Sequence, residues 1–204
     1  MLTLPLLRKM LNRAGTELKA NSKYLCELDS VAGDGDHGIT IGRMADVMKE
    51  KTEDTTIDTM RVLLDELGEA FMGINGGSAG PLWGTVFTGM AEGIDDQAEL
   101  TDLELRKMFT QAKEDFMDIS KAKPGDKTMV DALYPAIDAI IETQGSLKEI
   151  MTAAAAAADA GAEQTSTMVA RFGRAKNMGE RSIGTKDPGA VSIAILFNGM
   201  VQAL

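Results

Sequence analysis

The chain of 204 residues holds one cysteine, one histidine and one tryptophan, and only 4% of it is aromatic. The lone Cys26 has no internal partner, so no disulfide framework is available, and a reducing compartment, the cytoplasm, is expected. So few rings argue against a sheet core. Alanine, leucine, isoleucine and 14 methionines supply the apolar bulk, which suits close helix packing. Basic charge is scarce as well: 21 Lys and Arg face 31 Asp and Glu. The net charge of −10 excludes nucleic acid, which needs a basic stripe. No apolar run approaches membrane-spanning length, so no membrane partner is expected. The apolar start at Leu2, Leu4, Leu6 and Leu7 precedes the charges of Arg8 and Lys9, the reverse of a signal peptide's order.

Helical periodicity fills what remains. Leu4, Leu7, Leu11, Ala14 and Leu18 fall on one face, as do Ile57, Met60, Leu64, Leu67 and Phe71, and again Leu105, Met108, Phe109, Ala112 and Phe116. The stripes predict about eight helices, over 4–28, 38–50, 57–74, 78–94, 101–121, 129–143, 147–171 and 189–203. Thr101 with Glu104, Thr128 with Asp131 and Ser146 with Glu149 stand at capping-box spacing. Pro135 should kink its helix or shift its start. The short connections favour antiparallel neighbours, so the expectation is an all-α single domain over 1–204, an up-and-down bundle or a closed ring of helices.

Glycine-rich loops at 29–38, 73–81, 123–129 and 172–189 interrupt this pattern. They close the first, third, fifth and seventh predicted helices. Alternate connections of an up-and-down arrangement lie at the same end, so these loops should meet at one rim.

The first loop crowds Asp29, Asp34 and Asp36 beside His37, the only histidine. Carboxylates held together repel unless cations intervene, and hard oxygen ligands suit magnesium or calcium. A solvated acidic turn, where aspartate and glycine are common, would also account for them. An EF-hand is excluded by Ala45 in the position of its bidentate glutamate. Gly33, Gly35 and Gly38 match a dinucleotide fingerprint, but no strand precedes them.

The second loop, Asn75 to Pro81, opens a helix with small residues, as an anion site would and as a plain helix start would too. In the third, Met129 could offer a soft face to a planar base or be the first core residue of its helix. The fourth carries Arg171, Arg174, Lys176, Arg181 and Lys186, followed by Asp187, placed to cap the last helix, and Pro188, placed to start it. A diphosphate of about −3 with three carboxylates gives about −6, which two divalent ions reduce to about −2. A nucleotide with two metals is thus favoured.

Gly33-Asp34-Gly35-Asp36-His37-Gly38, Gly76-Gly77-Ser78-Ala79-Gly80-Pro81, Pro124-Gly125-Asp126-Lys127-Thr128-Met129 and Gly179-Glu180-Arg181-Ser182-Ile183-Gly184, continuing to Asp187-Pro188-Gly189-Ala190, resemble the nucleotide-binding L subunit of bacterial dihydroxyacetone kinase. The resemblance spans essentially the whole chain. It implies an eight-helix antiparallel up-and-down barrel with a nucleotide site at one rim. Magnesium would be held by Asp29, Asp34 and Asp36. Nucleotide contacts would fall on His37, Gly38, Ile39, Thr40, Ser78, Ala79, Met129, Arg174, Asp187, Pro188 and Gly189, with Arg174 stabilising charge on the moving phosphoryl group. It further implies ADP/ATP kept as a cofactor, a phosphohistidine M subunit of the phosphotransferase system as donor, and a K subunit carrying dihydroxyacetone or a related small ketose. Thr40 stands where the family usually has asparagine, Met44 where glycine commonly follows the arginine, and Ser78 and Ala79 are in inverted order. A different class of function, a non-catalytic metal–nucleotide sensor or scaffold, fits the same loops.

Overall fold

The apolar stripes fold into nine α-helices in the computed structural model, which describes residues 1–204. They are α1 Leu4–Ala20, α2 Ser22–Ser30, α3 His37–Glu53, α4 Met60–Met72, α5 Ala79–Glu92, α6 Asp102–Ile119, α7 Val130–Glu142, α8 Leu147–Gln164 and α9 Pro188–Gln202. Short 3₁₀ segments follow at Thr165–Thr167 and Arg174–Ser182.

The count differs from the expected eight because the first stripe, 4–28, is two helices. At Asn21 the backbone leaves helical geometry (φ −95°, ψ 5°), and the backbone N–H and side-chain amide of Asn21 both donate to the Glu17 carbonyl, at 3.1 and 2.9 Å. A side chain that bonds its own backbone competes with the helix ladder. The stripe at 147–171 also ends early, at Gln164, where Thr165 turns its hydroxyl back onto the Ala162 carbonyl at 2.6 Å.

Both capping boxes flanking α6 and α8 form. Thr101 and Ser146 accept from the Glu104 and Glu149 amides, and each glutamate bonds back to its cap residue's N–H. At Thr128 the box does not form, because α7 starts at Val130; Asp131 instead reaches back to accept the N–H groups of Thr128 (2.8 Å) and Gly125 (2.5 Å). An unpredicted feature is the two-residue antiparallel pairing of β1, Leu2–Thr3, with β2, Glu99–Leu100, which fastens the chain start to the α5–α6 connection.

The helices pack in order, α1 on α3, then α4, α5, α6, α7, α8 and α9, and α9 returns to α1, with α2 lying against α3 and α9. One apolar cluster draws on all nine. Small residues permit close approach: a Cβ on Gly199 of α9 would lie 2.5 Å from the Ala14 Cα of α1. On α7, Pro135 is accommodated within an unbroken helix. It has no N–H for the Asp131 carbonyl, and that carbonyl lies against Gly161 of α8, where any Cβ would overlap it. Arg8 closes the circuit's other side by donating to the Thr52, Asp54 and Ile57 carbonyls (2.6, 2.8 and 2.6 Å), satisfying groups left open where α3 ends.

Candidate functional site

The first loop turns on glycine. Gly35 has φ +77°, and Gly33 lies where any side chain would overlap the Asp29 carboxylate. Asp29, at the end of α2, accepts the N–H groups of Asp36 (3.0 Å) and His37 (3.3 Å) on Oδ2, and so docks the start of α3 onto α2. Carboxylate oxygens of Asp29, Asp34 and Asp36 come within 4.8 Å of one another. Asp36 is the N-cap residue of α3, yet its side chain caps nothing and makes no hydrogen bond. Asp34 is paired with Arg174 from the fourth loop. One cation against three carboxylates leaves an excess of negative charge, and hard oxygen donors at this spacing fit a divalent ion such as magnesium.

His37 sits behind this cluster. Its Nε2 lies 3.2 Å from Ser192 Oγ, whose hydroxyl hydrogen goes to the Gly189 carbonyl at 2.8 Å. Burial pushes the His37 pKa down, against the opposing pull of Asp29 and the Pro188 carbonyl, so the ring is a neutral tie between α3 and α9.

All four glycine-rich loops converge here, as the rim expectation requires. Asp29, Asp34, Asp36 and Arg174 line a polar cavity of about 240 Å³. It adjoins a larger one of about 530 Å³ whose walls include Leu82, Trp83, Phe116, Ile119 and Met129. His37, Ser78, Lys127, Phe172, Asp187 and Pro188 belong to both walls, so the two form one cleft with an acidic mouth and an apolar chamber. Ala79 and Gly189 line the chamber. Met129 is 6% exposed and serves as core residue and chamber wall at once.

Three candidate residues lie outside the cleft walls. Gly38 is buried against α2, and Thr40, 2% exposed, lies beneath Gly76, where any Cβ would strike its side chain. Ile39 is exposed at 53%. The amides of Ile39 and Thr40 both point to the Asp36 carbonyl, at 2.9 and 3.1 Å. The structure adds residues that the sequence did not single out: Lys127, Thr165, Phe172 and Ser192. The Phe172 and Gly173 pair beside Arg174 was the one local signal, an aromatic in a basic glycine-rich loop.

Asp187 caps α9, accepting the Ala190 N–H at 2.7 Å, with Pro188 in the first turn as the sequence predicts. Its own N–H donates to Thr165 Oγ at 2.8 Å. Burial, reinforced by nearby Asp131, raises its pKa to about 7, although bonds from Ala190 and Gly189 and the charge of Lys127 act the other way. The folded protein thus binds this proton more tightly than the unfolded chain. Stability should fall as pH rises from the unfolded value of 3.8 through about 7. Asp187→Asn keeps a capping oxygen and removes the titration, so thermal melts of the ligand-free variant from pH 5 to 8 are expected to lose much of the wild-type decline. An unchanged decline would put the titrating group elsewhere.

A family model described as the DAK2 domain matches residues 31–202. The chain is 35% identical over 196 residues to the ADP-binding subunit DhaL of the PEP-dependent dihydroxyacetone kinase of Escherichia coli K12, covering 95% of this chain and 93% of that protein. It is also 35% identical to the L-erythrulose kinase of Pectobacterium atrosepticum over 95% of this chain, but spans only 34% of that longer protein. Among solved structures it is similar to the dihydroxyacetone kinase from C. freundii in complex with AMP-PNP and Mg2+, with a TM-score of 0.75, 26% identity, and coverage of 98% of this chain and 34% of that one.

Proposed function

This chain belongs to the DAK2 domain family, and from that premise we propose that it is a nucleotide-binding kinase subunit. It holds ADP/ATP with magnesium, two ions in the favoured count, and passes phosphate from a phosphohistidine M subunit to dihydroxyacetone or a related small ketose on a K subunit. The carrying observation is the junction of an acidic mouth with an apolar chamber in one cleft.

Asp29, Asp34 and Asp36 would hold the metal, whose charge would neutralise the phosphate oxygens. The chamber, lined by Met129, Ser78 and Ala79 among others, fits a flat apolar base. Arg174, 63% exposed at its side chain and paired with Asp34, would exchange that carboxylate for phosphate oxygens as metal enters. His37 is committed to Ser192 and is the only histidine, so the chain has no spare imidazole to relay phosphate itself. Similarity to ADP-binding subunits of PEP-dependent dihydroxyacetone kinases, at 35% identity for the one from Escherichia coli, supports the multi-subunit form.

Native mass spectrometry should find the nucleotide and magnesium on the purified protein or on protein dialysed against both. With phosphoenolpyruvate as donor, transfer to ketose should require the M and K partners and only stoichiometric ADP. Sustained turnover by this chain with free ATP and ketose alone would overturn the subunit reading. Binding without any transfer in the complete mixture would favour the sensor.

A further inference from the structure

Lys127 is 4% exposed and is the only non-glycine residue with positive φ, at 60°. An L-residue in that region crowds its Cβ against the following carbonyl oxygen, so the surrounding contacts must hold it there. An ammonium has three hydrogens to donate. Here they go to the carbonyls of Thr165 (2.8 Å), Ser182 (2.7 Å) and Thr185 (2.5 Å). None remains for a phosphate, although the residue lies on the wall shared by both parts of the cleft.

The three carbonyls bracket the segment 166–181, which carries Phe172 and Arg174. That segment closes on itself at its base, with Gly184 N–H donating to Ser166 O at 2.7 Å and Ala170 N–H to Ser182 Oγ at 2.9 Å. Its middle is a 3₁₀ segment kinked at Gly179; Gly173 and Gly179 both have positive φ, and Arg171, Arg174, Lys176 and Arg181 are exposed. Lys127 ties it to the third loop, together with Arg171, whose N–H donates to Asp126 O at 3.1 Å and whose guanidinium pairs with the Asp126 carboxylate at 3.5 Å. We propose that Lys127 is a positioning residue, whose three backbone bonds hold the Arg174-bearing segment over the aspartate cluster. The staple stands on geometry alone. Its catalytic consequence rests on the function proposed above.

The experiment has two arms. In the first, ligand-free Lys127→Met is followed by hydrogen exchange and by trypsin, which has targets at Arg171, Arg174, Lys176 and Arg181. Exchange over 166–185 and cleavage at those sites should accelerate about tenfold or more, with amides of α4 and α5 unaffected, because the opening is local. Uniform acceleration across the chain, or none, overturns the staple. In the second, phosphoryl transfer with partner subunits is measured for Lys127→Met, Arg174→Ala and the double variant. A residue that acts through Arg174 should lower kcat about tenfold with little change in KM, and cost nothing further once Arg174 is gone. Additive losses overturn the positioning role. If Lys127→Met does not fold, Lys127→Arg is carried through both arms; its planar fork cannot meet three convergent carbonyls, so a smaller change of the same sign is expected. A wild type that binds no Mg·ADP would refute the proposed function and leave the first arm to decide the staple.

Discussion

Asp36→Asn is expected to remove most of the heat stabilisation conferred by magnesium and ADP together, while leaving the ligand-free protein as stable as before. The Asp36 side chain makes no hydrogen bond and no ion pair, so the fold does not depend on its charge. Asparagine also relieves repulsion from Asp29 and Asp34, whose carboxylate oxygens lie within 4.8 Å. With ligand at a hundred times its Kd, binding stabilises by about 2.7 kcal/mol, which raises Tm by roughly 5–10 °C for a chain of this size. Losing one anionic metal ligand should weaken Mg·ADP on the order of a hundredfold, enough to erase most of that shift. Differential scanning fluorimetry with ADP, with and without magnesium, provides the check. An unaltered magnesium-dependent shift would remove Asp36 from the ligand set. Asp29 is a less clean target, because its carboxylate also docks the first turn of α3.

Gly38→Ala should damage the fold and the site together. A Cβ there would overlap the Ser22 carbonyl and lie 2.8 Å from Cys26 Sγ, both on α2. Backbone cannot swing aside as a side chain can, so α2 and α3 must separate, at a cost of about 2–3 kcal/mol. Asp29 is on α2 while Asp36 stands just before α3, so the same displacement spreads the carboxylates. Urea denaturation should give the stability loss, and calorimetry a Mg·ADP affinity at least about tenfold weaker. Gly42→Ala is the internal control on the same helix. Its Cβ would meet nothing closer than the Lys19 Nζ at 3.7 Å, so helix propensity should make it neutral or stabilising by up to about 1 kcal/mol. Equal losses in both variants would show that close packing at Gly38 is not the reason for its glycine.

The sequence by itself determined the helical class, the cores of the helical segments, the caps at Thr101, Ser146 and Asp187, and the acidic loop with its three aspartates. Each depends on neighbours within a turn or two, where spacing and residue chemistry act directly. The meeting of four loops at one rim was also legible, because alternation of short connections fixes which end of a helical array each loop occupies. Only tertiary structure decided the rest. Asn21 divides the first stripe although its periodicity continues through Leu25, and Leu2–Thr3 finds Glu99–Leu100 across almost half the chain. Gly38, which the family resemblance assigns to nucleotide, is where α2 and α3 touch. Lys127 reads as one more charged loop residue, yet it is buried under carbonyls 38, 55 and 58 residues away in sequence. No local pattern encodes such a partner: a backbone carbonyl is the same group at every residue, and which three converge on one ammonium is settled only when the helices pack.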